Sequence, residues 1–147
     1  MREIKFRAWD KINKKMAEVY VLSLSIIQGH IICEDNKLFS GCDYTSVEIM
    51  QYTGLNDKNG KEVYEGDIIF NPNSFGCVCG NGIYTDEYPD KRIIIWNNKD
   101  LRFDFDFLDK NMRGEKCSGY CLCETNKELF EVIGNICENP DLIKGDL

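Results

Sequence analysis

A chain of 147 residues, 43% hydrophobic and 29% charged, is long enough to bury about two thirds of its unfolded surface and needs no covalent staple to fold. That hydrophobic share excludes a disordered chain, and no apolar run approaches the roughly 20 residues of a membrane helix. The formal net charge of −7 sets most of the surface against a phosphate backbone.

The opening MREIKFRAWD is charged within its first few residues and has no apolar core of a signal peptide, so a cytoplasmic, non-membrane protein is expected. Ile4, Phe6 and Ala8 alternate with Lys5, Arg7 and Trp9, the period of a half-buried strand. A polar turn over Asp10–Lys15 then returns the chain through Val19, Val21 and Leu22, which predicts a β-hairpin over about residues 1–27. Residues 1–16 carry six basic side chains (Arg2, Lys5, Arg7, Lys11, Lys14, Lys15) against Glu3 and Asp10, a net of +4. The remaining 131 residues carry 12 basic and 23 acidic side chains, a net of −11.

A strand is expected around His30–Cys33 and another over Ser46–Gln51. Asp57-Lys58-Asn59-Gly60 places Asn-Gly, a strong hairpin signal, between polar flanks. Glu65-Gly66-Asp67 marks a second turn just before the apolar strand Ile68-Ile69-Phe70. Turn, short arm, turn and strand is how small barrels wrap a sheet around a corner. Calcium does not fit the first turn, since Gly60 follows Asn59 directly and no helices flank the loop. Asn71–Tyr88 reads as a long loop, Arg92–Trp96 as a buried strand, and Asn97–Asp100 as a turn. The next strand alternates strictly, with Phe103, Phe105 and Phe107 on one face and Arg102, Asp104 and Asp106 on the other, expected to be solvated. A second loop over Asp109–Asn126 precedes a strand within Leu129–Ile136, and Asn139-Pro140 reads as a helix stop. The fold class is therefore mainly β, with a core over about 46–138.

Eight cysteines in a reducing compartment read first as buried thiols. The sharper alternative is zinc: Cys77, Cys79, Cys117, Cys121 and Cys123 place five thiolate donors in two loops flanking one hairpin, although a single intervening residue strains joint chelation by Cys77 and Cys79. Cys33, Cys42 and Cys137 read as packing residues. His30 is the only histidine and stands in no GxSxG or HExxH context, so no catalytic group is assigned and no cofactor is expected. Lys5 and Arg7 beside Trp9, with Lys15 in the turn, combine charge and an aromatic as single-strand nucleic-acid binding requires. The competing reading makes Arg7-Ala8-Trp9-Asp10 a fold-defining corner, with Trp9 buried and Asp10 capping the turn.

Three blocks, REIKFRAWDKINKKM from Arg2, MQYTGLNDKNGKEVYEGDII from Met50 and EVIGNICENPDLI from Glu131, resemble the YopX family of phage and prophage proteins, where they recur in this order around a variable middle. The resemblance implies a small, mainly β protein with an SH3-like barrel component, treated as a single domain over 1–147, and carries no catalytic residues. The expected role is a non-enzymatic, self-associating interaction protein with a phage or host protein as further partner. A nucleic-acid-binding module and a zinc-dependent regulator are the two alternatives.

Overall fold

The computed structural model describes residues 3–23, 30–33, 38–40, 46–72, 77–79, 82–84, 90–107 and 130–143. These residues form twelve strands and no α-helix, so the protein is mainly β. The chain divides into two compact units, residues 1–52 and 53–147.

In the first unit, β1 (Phe6–Asp10), β2 (Lys15–Ser23), β3 (His30–Cys33), β4 (Leu38–Ser40) and the start of β5 (Val47–Asn56) form an antiparallel sheet in the order β4-β3-β2-β1-β5. The predicted hairpin is β1–β2, in a register that sets Phe6 opposite Val19 and Asp10 opposite Lys15. The central strand β1 also pairs with β5, Arg7 facing Met50 and Ala8 facing Ile49. Alternation places Ala8 on one face, in a core with Ile31 and Val47, against which Ala17, Val19, Leu22 and Ile49 pack. The other face of β1 is covered as well: Trp9 is only 7% exposed, and Met50 and Tyr52 are buried with it.

The Lys11–Lys14 turn closes on a single side chain. Asp10 Oδ1 accepts the backbone N–H groups of Ile12 and Asn13, both at 2.9 Å, and Oδ2 accepts Asn13 Nδ2 at 2.5 Å. An Asp that bonds the backbone two and three residues on is the ordinary reason for this residue at a turn. It lets Lys14 take a left-handed φ of 53°. The corner reading of Arg7–Asp10, with Trp9 buried and Asp10 capping, describes this arrangement.

In the second unit, the later half of β5 turns through Asn59-Gly60 into β6 (Glu62–Tyr64), which pairs with it. The second turn, at Gly66, leads into β7 (Asp67–Asn71). Gly54, Gly60 and Gly66 have φ of 90°, 81° and 79°, the region where a Cβ is unfavourable. An antiparallel sheet follows in the order β11-β10-β7-β12, from β10 (Asp90–Asn97), β11 (Arg102–Phe107) and β12 (Glu131–Asn135). Its core is Val63, Ile69, Ile94, Phe103 and Phe130, with Trp96 and Val132 packed against it. Trp96 and Phe103 face each other across β10 and β11 and meet edge to face, 5.0 Å between ring centroids. Among the described residues no strand pairing closes either sheet into a barrel.

Three local expectations change. The loop expected over Asn71–Tyr88 contains a two-stranded hairpin, β8 (Cys77–Cys79) with β9 (Gly82–Tyr84), Val78 opposite Ile83; three-residue arms are too short for periodicity to show. Asp104, expected on a solvated face, is 2% exposed and accepts Arg102 Nε at 2.9 Å and Asn97 Nδ2 at 2.7 Å, which satisfies its oxygens within the β10–β11 hairpin. Pro140, expected to stop a helix, instead opens a 3-10 turn over Pro140–Leu142, a position that needs no N–H donor.

Gly134 sits at the bulge of β12, where an added Cβ would lie 2.7 Å from Asn139 Oδ1 and 2.8 Å from Leu142 Cδ1. Gly60 has open space around the same position. In chemical denaturation Gly60→Ala should therefore cost about 1 kcal/mol, from backbone strain alone. Gly134→Ala should cost roughly 1–3 kcal/mol through overpacking despite an ordinary φ.

Candidate functional site

The most elaborate polar arrangement lies where the Asp57–Lys61 turn meets β12. Asp57 is 5% exposed. Its Oδ1 accepts the N–H groups of Asn59 and Lys61 at 2.8 and 2.9 Å, which shapes the turn. Its Oδ2 accepts the N–H of Val132 at 2.9 Å, 75 residues away in the chain. Lys58 continues the contact: its N–H donates to Phe130 O at 3.2 Å, and its Nζ lies 2.9 Å from Glu131 Oε2. Hydrogen bonding by Lys58 holds the Glu131 carboxyl below the usual glutamate range, helped by the Lys58 charge and a hydrogen bond from Asn59, and opposed by desolvation and the Asp57 charge.

A second set of bonds joins the Gly66 turn to the end of β12. Asp67 Oδ2 accepts Tyr64 N–H at 2.8 Å and Oδ1 accepts Asn135 Nδ2 at 3.4 Å. Gly66 O accepts Ile136 N–H at 2.9 Å, and Gly66 N–H donates to Ile94 O at 2.8 Å. Asn135 Oδ1 accepts Cys137 N–H at 2.8 Å, while Asn139 Oδ1 accepts Asn135 N–H at 3.2 Å. A Cβ on Gly66 would come within 3.2–3.4 Å of Ile136 and Asn135, so glycine here serves both backbone conformation and close approach. The chemistry of the whole set is backbone capture: buried acceptors face donors of the same chain.

Lys5, Arg7 and Trp9 alternate along one face at β1, with their groups engaged, whereas Lys15 pairs with Asp10 and stands on the other face. Lys5 Nζ lies 5.5 Å from the Tyr52 ring centroid, within cation–π range, and 3.4 Å from Glu3 Oε2. Arg7 Nε donates to Met50 Sδ at 3.4 Å. The Trp9 ring is buried, and Lys15 begins β2 opposite Asp10. Of the cysteines proposed for zinc, Cys77 and Cys79 form the two ends of β8; Cys117, Cys121 and Cys123 lie outside the described residues, as does Cys42. Cys137 is half-buried, and its backbone N–H donates to Asn135 Oδ1. Among the described residues no three His, Cys, Asp or Glu side chains converge as a metal site requires, and no helix is long and apolar enough to cross a membrane.

Sequence reasoning explained Asp57 and Asn59 by turn chemistry and missed their long-range partner. The available signal was the pairing of two patterned blocks, Met50–Ile69 and Glu131–Ile143, around an unpatterned middle; blocks that bond to each other constrain each other's residues.

The fold and these bonds define a mainly β protein whose most specific polar groups bind its own C-terminal strand. The match to the YopX protein family runs over residues 5–144, and the chain belongs to that family. It is similar to a solved structure, protein EF1440 from Enterococcus faecalis, at 30% sequence identity and a TM-score of 0.62, with 97% of this chain and 99% of that chain covered. No curated protein matches the chain.

Two outcomes are expected at this site. Asp57→Ala strands the N–H groups of Asn59, Lys61 and Val132 and should cost about 3 kcal/mol, with faster hydrogen exchange at Val132; an unchanged Val132 would contradict the role given to Oδ2. Because Glu131 is held below its ordinary value of 4.5, its contribution is full above that pH and fades as pH falls through the lowered value. The stability difference between wild type and Lys58→Met should accordingly shrink on acidification, as read by denaturant midpoints from neutral pH downward.

Proposed function

We propose that this is a phage or prophage accessory protein that acts without catalysis, through self-association and contact with a phage or host protein. The observation that carries this reading is the presence of edge strands: among the described residues β4 ends the first unit's sheet, and β11 and β12 end the four-stranded sheet. An edge presents backbone donors and acceptors to another strand, and a soluble protein has to cover or pair it.

The non-catalytic part is supported by the buried carboxylates. Asp10, Asp57, Asp67 and Asp104 each accept hydrogen bonds from the chain's own groups, whereas general acid–base work needs a carboxyl aimed at a cleft. The engagement of Lys5, Arg7 and Trp9 favours the corner over a nucleic-acid platform, since base stacking requires an accessible ring. The family's phage and prophage setting supports the genetic context.

Native mass spectrometry on protein purified under reducing conditions tests this. A metal-free homo-oligomer is the expected result. A bare monomer would overturn self-association, and a zinc mass lost on acidification would turn attention to Cys77, Cys79, Cys117, Cys121 and Cys123.

A further inference from the structure

We propose that Asn59 is a modification site: its side-chain amide deamidates by attack of the Gly60 nitrogen, at a rate governed by the contact between the Asp57–Lys61 turn and β12. The inference is independent of the association reading and concerns the chemistry of the turn itself.

The residues suit the reaction. Asn59 is exposed at the tip of the turn, so water reaches its amide. Gly60 carries no side chain over its nitrogen, and nothing lies within 4 Å of the place a Cβ would take. Asn is a thermolabile residue, and a following glycine leaves the attacking nitrogen unshielded. The Gly60 nitrogen forms a bond to Asn59 Cγ, the Cγ–Nδ2 bond breaks, and the Gly60 proton passes through solvent to the departing nitrogen, which leaves as ammonia. Water then opens the five-membered imide at either carbonyl, giving an aspartyl or an isoaspartyl residue. Water is the only co-reactant.

The fold restrains both reacting groups. Gly60 N–H donates to Asp57 O at 2.9 Å, and the Asn59 amide donates to the Glu131 carboxyl. Attack requires both hydrogen bonds to open. Lys58, bonded to Phe130 O and paired with Glu131, and Asp57 Oδ2, bonded to Val132 N–H, keep the turn seated on β12. A reaction that proceeds from a locally opened form follows the population of that form. The product acts back on the same contact. A carboxylate at position 59 turns a donor toward Glu131 into a like charge. The isoaspartyl form also adds a methylene to the backbone between the Asn59 and Lys61 N–H groups, both of which Asp57 Oδ1 accepts. Deamidation therefore loosens the hold on β12, and it does so irreversibly.

Peptide mass spectrometry on the full-length chain, incubated folded and in denaturant at the same pH and temperature, tests this. The second Asn-Gly pair, Asn81-Gly82, gives the unfolded-state reference. In denaturant the Asn59 and Asn81 peptides should deamidate at comparable rates, with isoaspartate among the products. In the folded chain Asn59 should react at least about tenfold more slowly than in denaturant. Glu131→Ala, which removes the acceptor, should raise the folded rate about fivefold, whereas Glu131→Gln keeps an acceptor oxygen and should raise it less. An Asn59 that stays intact in denaturant overturns the site. Equal folded and unfolded rates, or a folded rate that Glu131→Ala leaves unchanged, overturn its control by the β12 contact.

Discussion

The second unit depends on one carboxylate that reads two distant stretches of backbone together. Asp57 turns the Asn59-Gly60 corner with one oxygen and holds Val132 of β12 with the other. An unsatisfied buried N–H costs about as much as the hydrogen bond it lost. The local turn and the long-range strand pairing are therefore coupled through the same side chain. Around that point the structure is over-determined: Lys58 adds an ion pair and a backbone bond, Phe130 adds a fully buried ring, and Asp67 and Asn135 repeat the arrangement at the other end of the strand.

The same device appears in the first unit on a smaller scale. Asp10 caps the β1–β2 turn with three accepted hydrogen bonds, and Trp9 beside it is buried. Both corners place an Asp before the residues whose backbone must leave the strand, and both spend its acceptors on the protein itself. This is why Asp10, Asp57, Asp67 and Asp104 are engaged in the fold.

The strands themselves were largely legible. Alternation in Phe6–Asp10 and Arg102–Phe107, and the apolar runs at Ile68–Phe70 and Ile93–Ile95, mark elements that the structure contains, because side-chain period is a local property of a strand. The Asn59-Gly60 and Gly66 turns were legible for an equally local reason, the positive φ that glycine tolerates. The β8–β9 hairpin was not legible, since three-residue arms carry too little pattern. Asp104 misled because polarity suggests solvent, whereas Asn97 and Arg102 satisfy its oxygens in place.

Sequence alone determined the mainly β class, the Asn59-Gly60 and Gly66 turns and the family to which the three blocks belong, and it offered the corner at Arg7–Asp10 beside a nucleic-acid reading. Tertiary structure decided which partners those turns hold: that the acceptors of Asp57 and Asp67 face β12, that Phe130 anchors it, and that Trp9 is covered on its face of the sheet. The physical reason is range. Backbone conformation at a turn is settled within a few residues, whereas the donor that satisfies a buried carboxylate comes from wherever the packed chain places an N–H, here 75 residues away.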